Sequence, residues 1–228
     1  MIHLYCVVDD AAAAAESCRE SGTAALVVIP AGPFACVGRT AETPPPTADP
    51  QALVDHDAVV RRLMRVCTVI PFRYGTVLGT DVEVRDQMAA RADEFQSLLG
   101  RLHGKVELAL RATSSPPPRR CEASGRGYLR SLRTQAGSNV LHRLHRTLEA
   151  SSHAAVVVAD RPCSMKTSYL VDEQSVEGFC RVLANTLSGL EDVRDASLTG
   201  PWAPYSFVNA DAAGAPERAT AVPGGRDV

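Results

Sequence analysis

Across Gly104 the spacing of apolar residues changes period, and that change constrains the fold of this chain more than any single motif. Upstream, Met88, Ala92, Phe95, Leu99 and Leu102 fall 4, 3, 4 and 3 residues apart, which is one face of a helix. Thr80-x-x-Glu83 ahead of them is a capping-box pattern. A single helix is therefore predicted from about residue 81 to Leu102, with Gly104 just past its end. Downstream, Val106, Leu108 and Leu110 alternate with Lys105, Glu107 and Arg111, the pattern of a strand with one wet face.

From Lys105 onward the order of elements follows. The strand runs into a Pro-rich break at Ser114–Pro118. A helix is predicted over about 126–150, carrying Leu129, Leu132, Ala136, Leu141, Leu144 and Leu148, with Gly137-Ser138-Asn139 as a point of kinking or shortening. Ala154–Ala159 reads as a buried strand, Arg161-Pro162 as a turn and Met165–Asp172 as a second strand. Val176, Phe179, Leu183, Leu187 and Leu190 mark a helix ending near Gly189. Val193–Thr199 is a last strand, with Tyr205–Val208 read as its continuation. The result is β-α-β-β-α-β, the ferredoxin-like arrangement, with two helices on one face of an antiparallel sheet.

The first hundred residues form a separate unit. Strands are predicted at Ile2–Val8, at Ala24–Ile29 and around Cys36-Val37, followed by a loop from Glu42 to Pro50. Asp49 caps a helix whose first position is Pro50, where a missing N–H costs nothing. Its apolar stripe reads Leu53, Val60, Leu63 and Cys67, with His56 on the same side. Val69–Phe72 is strand-like and enters a turn at Gly75. The fold class is α+β: an N-terminal α/β domain over residues 1–103, a ferredoxin-like C-terminal domain over 104–208, and a flexible Ala/Gly/Pro-rich tail over 209–228.

Several function classes lose support at this point. The apolar runs reach only about six residues against the ~20 a bilayer span needs. No Lys or Arg precedes Arg19 at the N-terminus and Asp9-Asp10 interrupts the first apolar stretch, so neither a transmembrane helix nor a signal peptide is expected. Seven scattered cysteines without a CxxC read as buried thiols of an intracellular protein. No phosphate-cradling glycine loop, nucleophile elbow or zincin helix occurs. His142-x-x-His145 is flanked by Arg143 and Arg146 and reads as a solvated helix face. The pairs Asp9-Asp10 and Glu191-Asp192 sit at element ends, as turn or cap residues do. No catalytic residue, metal ligand or cofactor is assigned.

Charge is unevenly distributed. Eight arginines against one acid, Glu122, fall between Arg111 and Arg146, while the whole chain carries −2. Such a segment suits phosphate or acidic protein surface. An RNA-recognition motif would place aromatics on its central strands, and here those strands offer only Tyr169. Acidic protein surface is the expected partner, not nucleic acid. Aromatics gather instead at Trp202, Tyr205 and Phe207, interspersed with Pro201 and Pro204, a stiff segment suited to protein contact or to closing the C-terminal core.

Four stretches together resemble the gas vesicle protein F/L family. Pro71-Phe72-Arg73-Tyr74-Gly75-Thr76-Val77 is similar to its Pro-x-Arg-Phe/Tyr-Gly-Thr turn, and Gly104-Lys105-Val106-Glu107-Leu108 to its Gly-Lys-x-Glu strand start. Gly127-Tyr128-Leu129 resembles its Tyr-Leu helix entry. Thr199-Gly200-Pro201-Trp202-Ala203-Pro204-Tyr205-Ser206-Phe207 resembles its Thr-Gly-Pro-Trp-Pro-Pro-Tyr-Ser-Phe ending, with Ala203 in place of proline. The motifs do not distinguish F-type from L-type members.

The resemblance implies a non-enzymatic accessory or structural protein that supports gas vesicle assembly. The expected partners are the small shell protein and other accessory proteins, met at the vesicle, in one branch at its gas-facing surface, or in a cytoplasmic assembly complex. The alternative is a ferredoxin-like ligand- or nucleic-acid-binding regulator. Pro71, Arg73, Gly75, Thr76, Lys105 and Glu107 are expected to be structural, with Arg73 beside backbone carbonyls and an acid such as Glu107. Trp202, Tyr205 and Phe207 are the expected partner contacts.

Overall fold

The computed structural model of the protein describes residues 1–20, 26–46, 49–115, 140–161 and 163–208. Its first strand, β1 (Ile2–Val8), is buried along its whole length. β2 (Leu26–Ala31), β3 (Phe34–Thr40), β1 and β4 (Val69–Pro71) follow one another in an antiparallel sheet, and β5 (Val77–Leu78) also pairs with β1. Strict alternation would place Leu4 and Cys6 on one face. The β1–β3 register shifts between these two residues, and this bulge re-aims the strand. Ile2, Leu4 and Val7 enter one core cluster, while Tyr5, Cys6 and Val8 enter the other.

Helices cover both faces of that sheet. Val84 and Met88 of α3 (Asp81–Ala90) and Phe95, Leu98, Leu99 and Leu102 of α4 (Ala92–Leu102) pack on the first face. Ala14 and Cys18 of α1 (Ala11–Glu20) and Val59, Val60 and Leu63 of α2 (Pro50–Met64) pack on the second. Asp49 caps α2 as expected, accepting from the Gln51 N–H at 2.9 Å. Thr80 Oγ1 accepts from the Glu83 N–H at 3.2 Å, and Glu83 in turn accepts from the Gly79 N–H at 2.8 Å.

Three expectations for this half are corrected. The helix predicted through Leu102 is broken at Arg91, whose backbone leaves the helical region (φ −121°, ψ 24°) and whose guanidinium pairs with Glu94. Leu53 is exposed, because the buried stripe of α2 is His56, Val59, Val60 and Leu63. α1 is an additional helix, started by Asp10 accepting from the N–H groups of Ala12 and Ala13, both at 2.9 Å.

The second sheet contains β6 (Lys105–Ser114), β7 (Ala154–Arg161), β8 (Ser164–Asp172) and β9 (Val193–Trp202) in the order β7-β8-β6-β9, antiparallel throughout. That order, with α5 (Val140–Glu149) and α6 (Val176–Ser188) on one face, is the ferredoxin-like arrangement. Leu108, Leu110, Ala112, Tyr169 and Val171 meet Leu141, Leu144, Leu148 and Phe179 there. The Tyr169 ring is thus buried under α5 and is no stacking platform. Of the helix expected over 126–150, residues 126–139 lie outside the described residues, as do Tyr128, most of the arginine-rich segment and the tail from 209.

β7 was expected to be buried; it is an edge strand with Val157 and Val158 exposed. Tyr205–Val208 forms a short helix, α7, and does not extend β9. His145 is not solvated, because α5 lies back on β8 and brings Nδ1 to 3.1 Å from the Tyr169 hydroxyl, while His142 faces Asp160 at 3.5 Å. Cys6, Cys18 and Cys36 are buried, but Cys180 is exposed and Cys67 and Cys163 are half-buried. No helix among the described residues is long and apolar enough to cross a membrane. Leu170 of β8 and Phe207 of α7 sit in the same cluster as α3, α4 and the first sheet, so one core runs under both halves.

Candidate functional site at the junction of the two sheets

Three of the stretches singled out in the sequence meet where the halves join. Pro71 pairs with Cys6 at the end of β4, and the Phe72 N–H donates to the Tyr5 carbonyl at 2.8 Å. The chain then reverses. The Arg73 carbonyl accepts from the Thr76 N–H (3.1 Å) and hydroxyl (2.7 Å), and the Leu4 N–H donates to the Thr76 carbonyl at 2.9 Å. Gly75 holds φ at +89°, which a turn of this kind requires and a side chain disfavours. Arg73 thus serves the turn through its carbonyl. Its side chain is exposed, with no hydrogen bond or ion pair among the described residues. The expected Arg73–Glu107 pairing is corrected accordingly.

Glu107 has other partners. It is 6% exposed, on the strand face expected to be wet. Its carboxylate accepts from the Ser206 N–H at 2.8 Å and the Ser206 hydroxyl at 2.7 Å, and Ser168 Oγ lies 3.0 Å from Ser206 Oγ. A buried carboxylate stays in place only when its lone pairs are met in this way. Lys105 is half-buried, its ammonium donating to the His103 carbonyl at 3.3 Å.

Opposite Glu107 runs the segment from Thr199 to Phe207. Gly200 has φ +130°, and a Cβ there would stand 2.8 Å from the Glu107 carbonyl oxygen and 3.0 Å from Leu108 Cδ2. Only glycine fits. The Gly200–Pro201 peptide bond is cis. The Trp202 indole N–H donates to Thr199 Oγ1 at 3.2 Å, and the Arg61 guanidinium of α2 lies 5.1 Å from its ring centroid. Asp57 pairs with Arg61 at 2.8 Å. Trp202 keeps part of its ring at the surface. Ala203 is fully buried, and Tyr205 packs half-buried against the cluster containing Cys6, Val60 and Leu63. Burial pushes the Tyr205 phenol well above its ordinary range. Phe207, 3% exposed, fills the shared core, and its carbonyl accepts from Arg101 at 3.0 Å.

The structure therefore divides the three aromatic rings: Phe207 packs inside the chain, Tyr205 bridges the halves, and Trp202 lies partly buried beside α2 under Arg61. Sequence reasoning missed Ser206, Gly200 and Arg61. The first two lie inside the ending motif, where the positive φ and the buried acceptor are invisible. Nothing in the sequence tied Arg61 to Trp202, 141 positions away. No group of three or more His, Cys, Asp or Glu side chains fit to hold a metal occurs among the described residues. The arrangement is suited to holding two sheets in fixed relation and presenting a surface.

Residues 1–209 match the family described as gas vesicle synthesis protein GvpL/GvpF. Gas vesicle protein L of Streptomyces sp. (strain CB03234) is 32% identical over 182 residues, which cover 67% of this chain and 66% of that relative. The match thus spans just under two thirds of the relative's length. The crystal structure of gas vesicle protein GvpF from Anabaena sp. PCC7120 superposes with a TM-score of 0.71 at 16% identity, covering 91% of this chain and 95% of that one. GvpF from Microcystis aeruginosa gives 0.69 at 12% identity, covering 91% and 98%. At these identities the two structures speak to the fold.

Proposed function

The chain belongs to the gas vesicle synthesis protein GvpL/GvpF family, and from that premise we propose that it supports gas vesicle assembly by protein–protein contact rather than by catalysis. Its partners in this reading are the small shell protein and other vesicle accessory proteins, met at the vesicle or in an assembly complex. The observation that carries the reading is the junction itself. Glu107, Ser206, Tyr205 and Phe207 are engaged within the chain, and Trp202, partly buried and held by Thr199, adjoins the exposed face of α2 through the Arg61 guanidinium.

On α2, Leu53, Asp57 and Arg61 follow at four-residue steps along one face, with Leu53 and Val54 exposed. Trp202 adjoins that face through Arg61. Interfaces favour a Trp or Arg anchor ringed by apolar and polar neighbours. Trp202 with the outer face of α2 is thus the proposed contact surface, and Arg73, exposed on the turn, is available beside the junction.

The test is complementation. In a vesicle-forming host lacking this chain, the native sequence restores vesicles, counted by electron microscopy. Leu53→Glu with Trp202→Ala restores few or none, although the variant accumulates as a folded protein. Full restoration by that variant removes the proposed surface. Normal vesicles in the host lacking the chain remove the assembly role.

A further inference from the structure

On the α2 side of the first sheet, beside the Arg73–Thr76 turn, His3 and Tyr5 of β1, Arg39 of β3, His56 of α2, Tyr74 and Pro46 bound a cleft of about 250 Å³. That is below the ~300–1,000 Å³ usual for drug-sized ligands, so only a small molecule fits. The rings form one cluster. His3 lies 5.0 Å from Tyr5, 5.2 Å from His56 and 5.4 Å from Tyr74, centroid to centroid, and His56 lies 4.9 Å from Tyr5. The Tyr74 hydroxyl donates to the Pro46 carbonyl at 3.0 Å, tying the proline loop to the turn.

Three polar atoms on residues that line this cleft are buried without a partner: His3 Nε2, His56 Nδ1 and Arg39 Nε. His56 is 2% exposed and His3 7%. Buried orphans of this kind are costly and uncommon in native proteins, and three around one cleft point to a ligand. Their proton inventory is defined. The Phe72 carbonyl lies 3.0 Å from His56 Nε2. A carbonyl only accepts, so the proton sits on Nε2 and Nδ1 presents a lone pair. Arg39 Nε always donates. Burial holds His3 neutral, lowering its pKa to about 4, so its Nε2 supplies whichever role its tautomer leaves. The Asp55 carboxylate also lines the cleft, where it accepts from the Gln51 side chain at 2.9 Å.

We propose that this cleft binds a small carboxylate carrying a hydroxyl or amino group on the adjacent carbon. The carboxylate accepts from Arg39, the neighbouring donor meets His56 Nδ1, and an apolar, flat remainder lies against Tyr74 and the proline loop. The site is separate from the proposed shell-contact surface and does not depend on it.

The experiment titrates the full chain, labelled with 15N-histidine, with L-phenyllactate, L-phenylalanine, 3-phenylpropanoate and 2-phenylethanol, following the imidazole nitrogens by NMR. Phenyllactate or phenylalanine is expected to give saturable shifts of both His56 Nδ1 and His3 Nε2 with a Kd of about 1 mM. Phenylpropanoate lacks the donor and phenylethanol lacks the carboxylate, and each is expected to bind about tenfold more weakly. Arg39→Met, checked for folding by circular dichroism, removes the response. Because the ligand series is read on the native chain, the outcome does not rest on the variant. Absence of any shift at roughly ten times that concentration, with the orphaned atoms bonded to water only, overturns the proposal. Equal shifts from all four probes overturn it as well.

Discussion

Replacing Glu107 by alanine removes the acceptor for two donors that the fold has already taken out of water. The Ser206 N–H loses its partner outright, while the Ser206 hydroxyl is able to turn toward Ser168 Oγ, 3.0 Å away. A hydrogen bond to a charged group contributes ~1.5–3 kcal/mol, and an orphaned buried donor costs ~1–3 kcal/mol. Relief of the desolvated carboxylate offsets part of this. The net expectation is a loss of about 3 kcal/mol, which for a chain of this size lowers Tm by about 6–12 °C. Glu107→Gln keeps one oxygen acceptor without its charge and should lose about 1–2 kcal/mol. Urea denaturation followed by circular dichroism reads both, through a lower midpoint at unchanged slope. Adding Ser206→Ala to Glu107→Ala should cost less than the two separate losses combined, since the pair shares a bond. If Glu107→Ala stays within ~0.5 kcal/mol of the native chain, as ordinary surface substitutions do, the junction is not held as described.

Other outcomes follow from the same geometry. Arg73→Lys is expected to leave the melting curve within ~0.5 kcal/mol of native, because the turn uses only the Arg73 carbonyl; a drop of several degrees in calorimetry would show an undetected role for the guanidinium. Gly200→Ala, forced to φ +130° with Cβ 2.8 Å from the Glu107 carbonyl, should lose about 3 kcal/mol or more or fail to accumulate; native-like solubility and midpoint would contradict the close approach. Phe207→Ala should lose ~3–5 kcal/mol as a core truncation, and an unchanged urea midpoint would place that ring outside the core. For His3, with a pKa lowered to about 4 against an ordinary 6.5, the unfolded chain binds more protons between those values. Stability is complete above about pH 6.5, falls as pH drops toward 4 and levels below it. Urea midpoints over that range should slope less in His3→Gln than in the native chain; identical slopes would mean that His3 does not titrate as described.

How much of this was readable beforehand depended on whether a residue's environment is local. The period change at Gly104, the Asp49 cap and the Thr80–Glu83 box are settled within a turn or two, and each is present in the fold. The ferredoxin-like order followed from the same local periods. Errors arose where a distant segment decided. Glu107 alternates correctly for a wet face, yet Ser206, 99 residues on, buries it. Val157 and Val158 look like core residues, but sheet order leaves β7 at the edge. His145 reads as solvated until α5 is laid against Tyr169. The α1 helix has a local signal, since Asp10 precedes five alanines of high helix propensity. At the candidate site, the aromatic cluster was visible as composition. Which ring would turn inward was not, because that depends on α2 and α4 meeting the Thr199–Phe207 segment from the other half.

The central claim is most directly tested by affinity capture of the tagged chain from vesicle-forming cells, with the co-purified small shell protein quantified by mass spectrometry. The native chain is expected to retain the shell protein, and Leu53→Glu with Trp202→Ala to lose it at least tenfold, about 1.4 kcal/mol or more at the contact. Shell protein retained at native level by the Leu53/Trp202 variant, or absent from the native capture, would contradict the account.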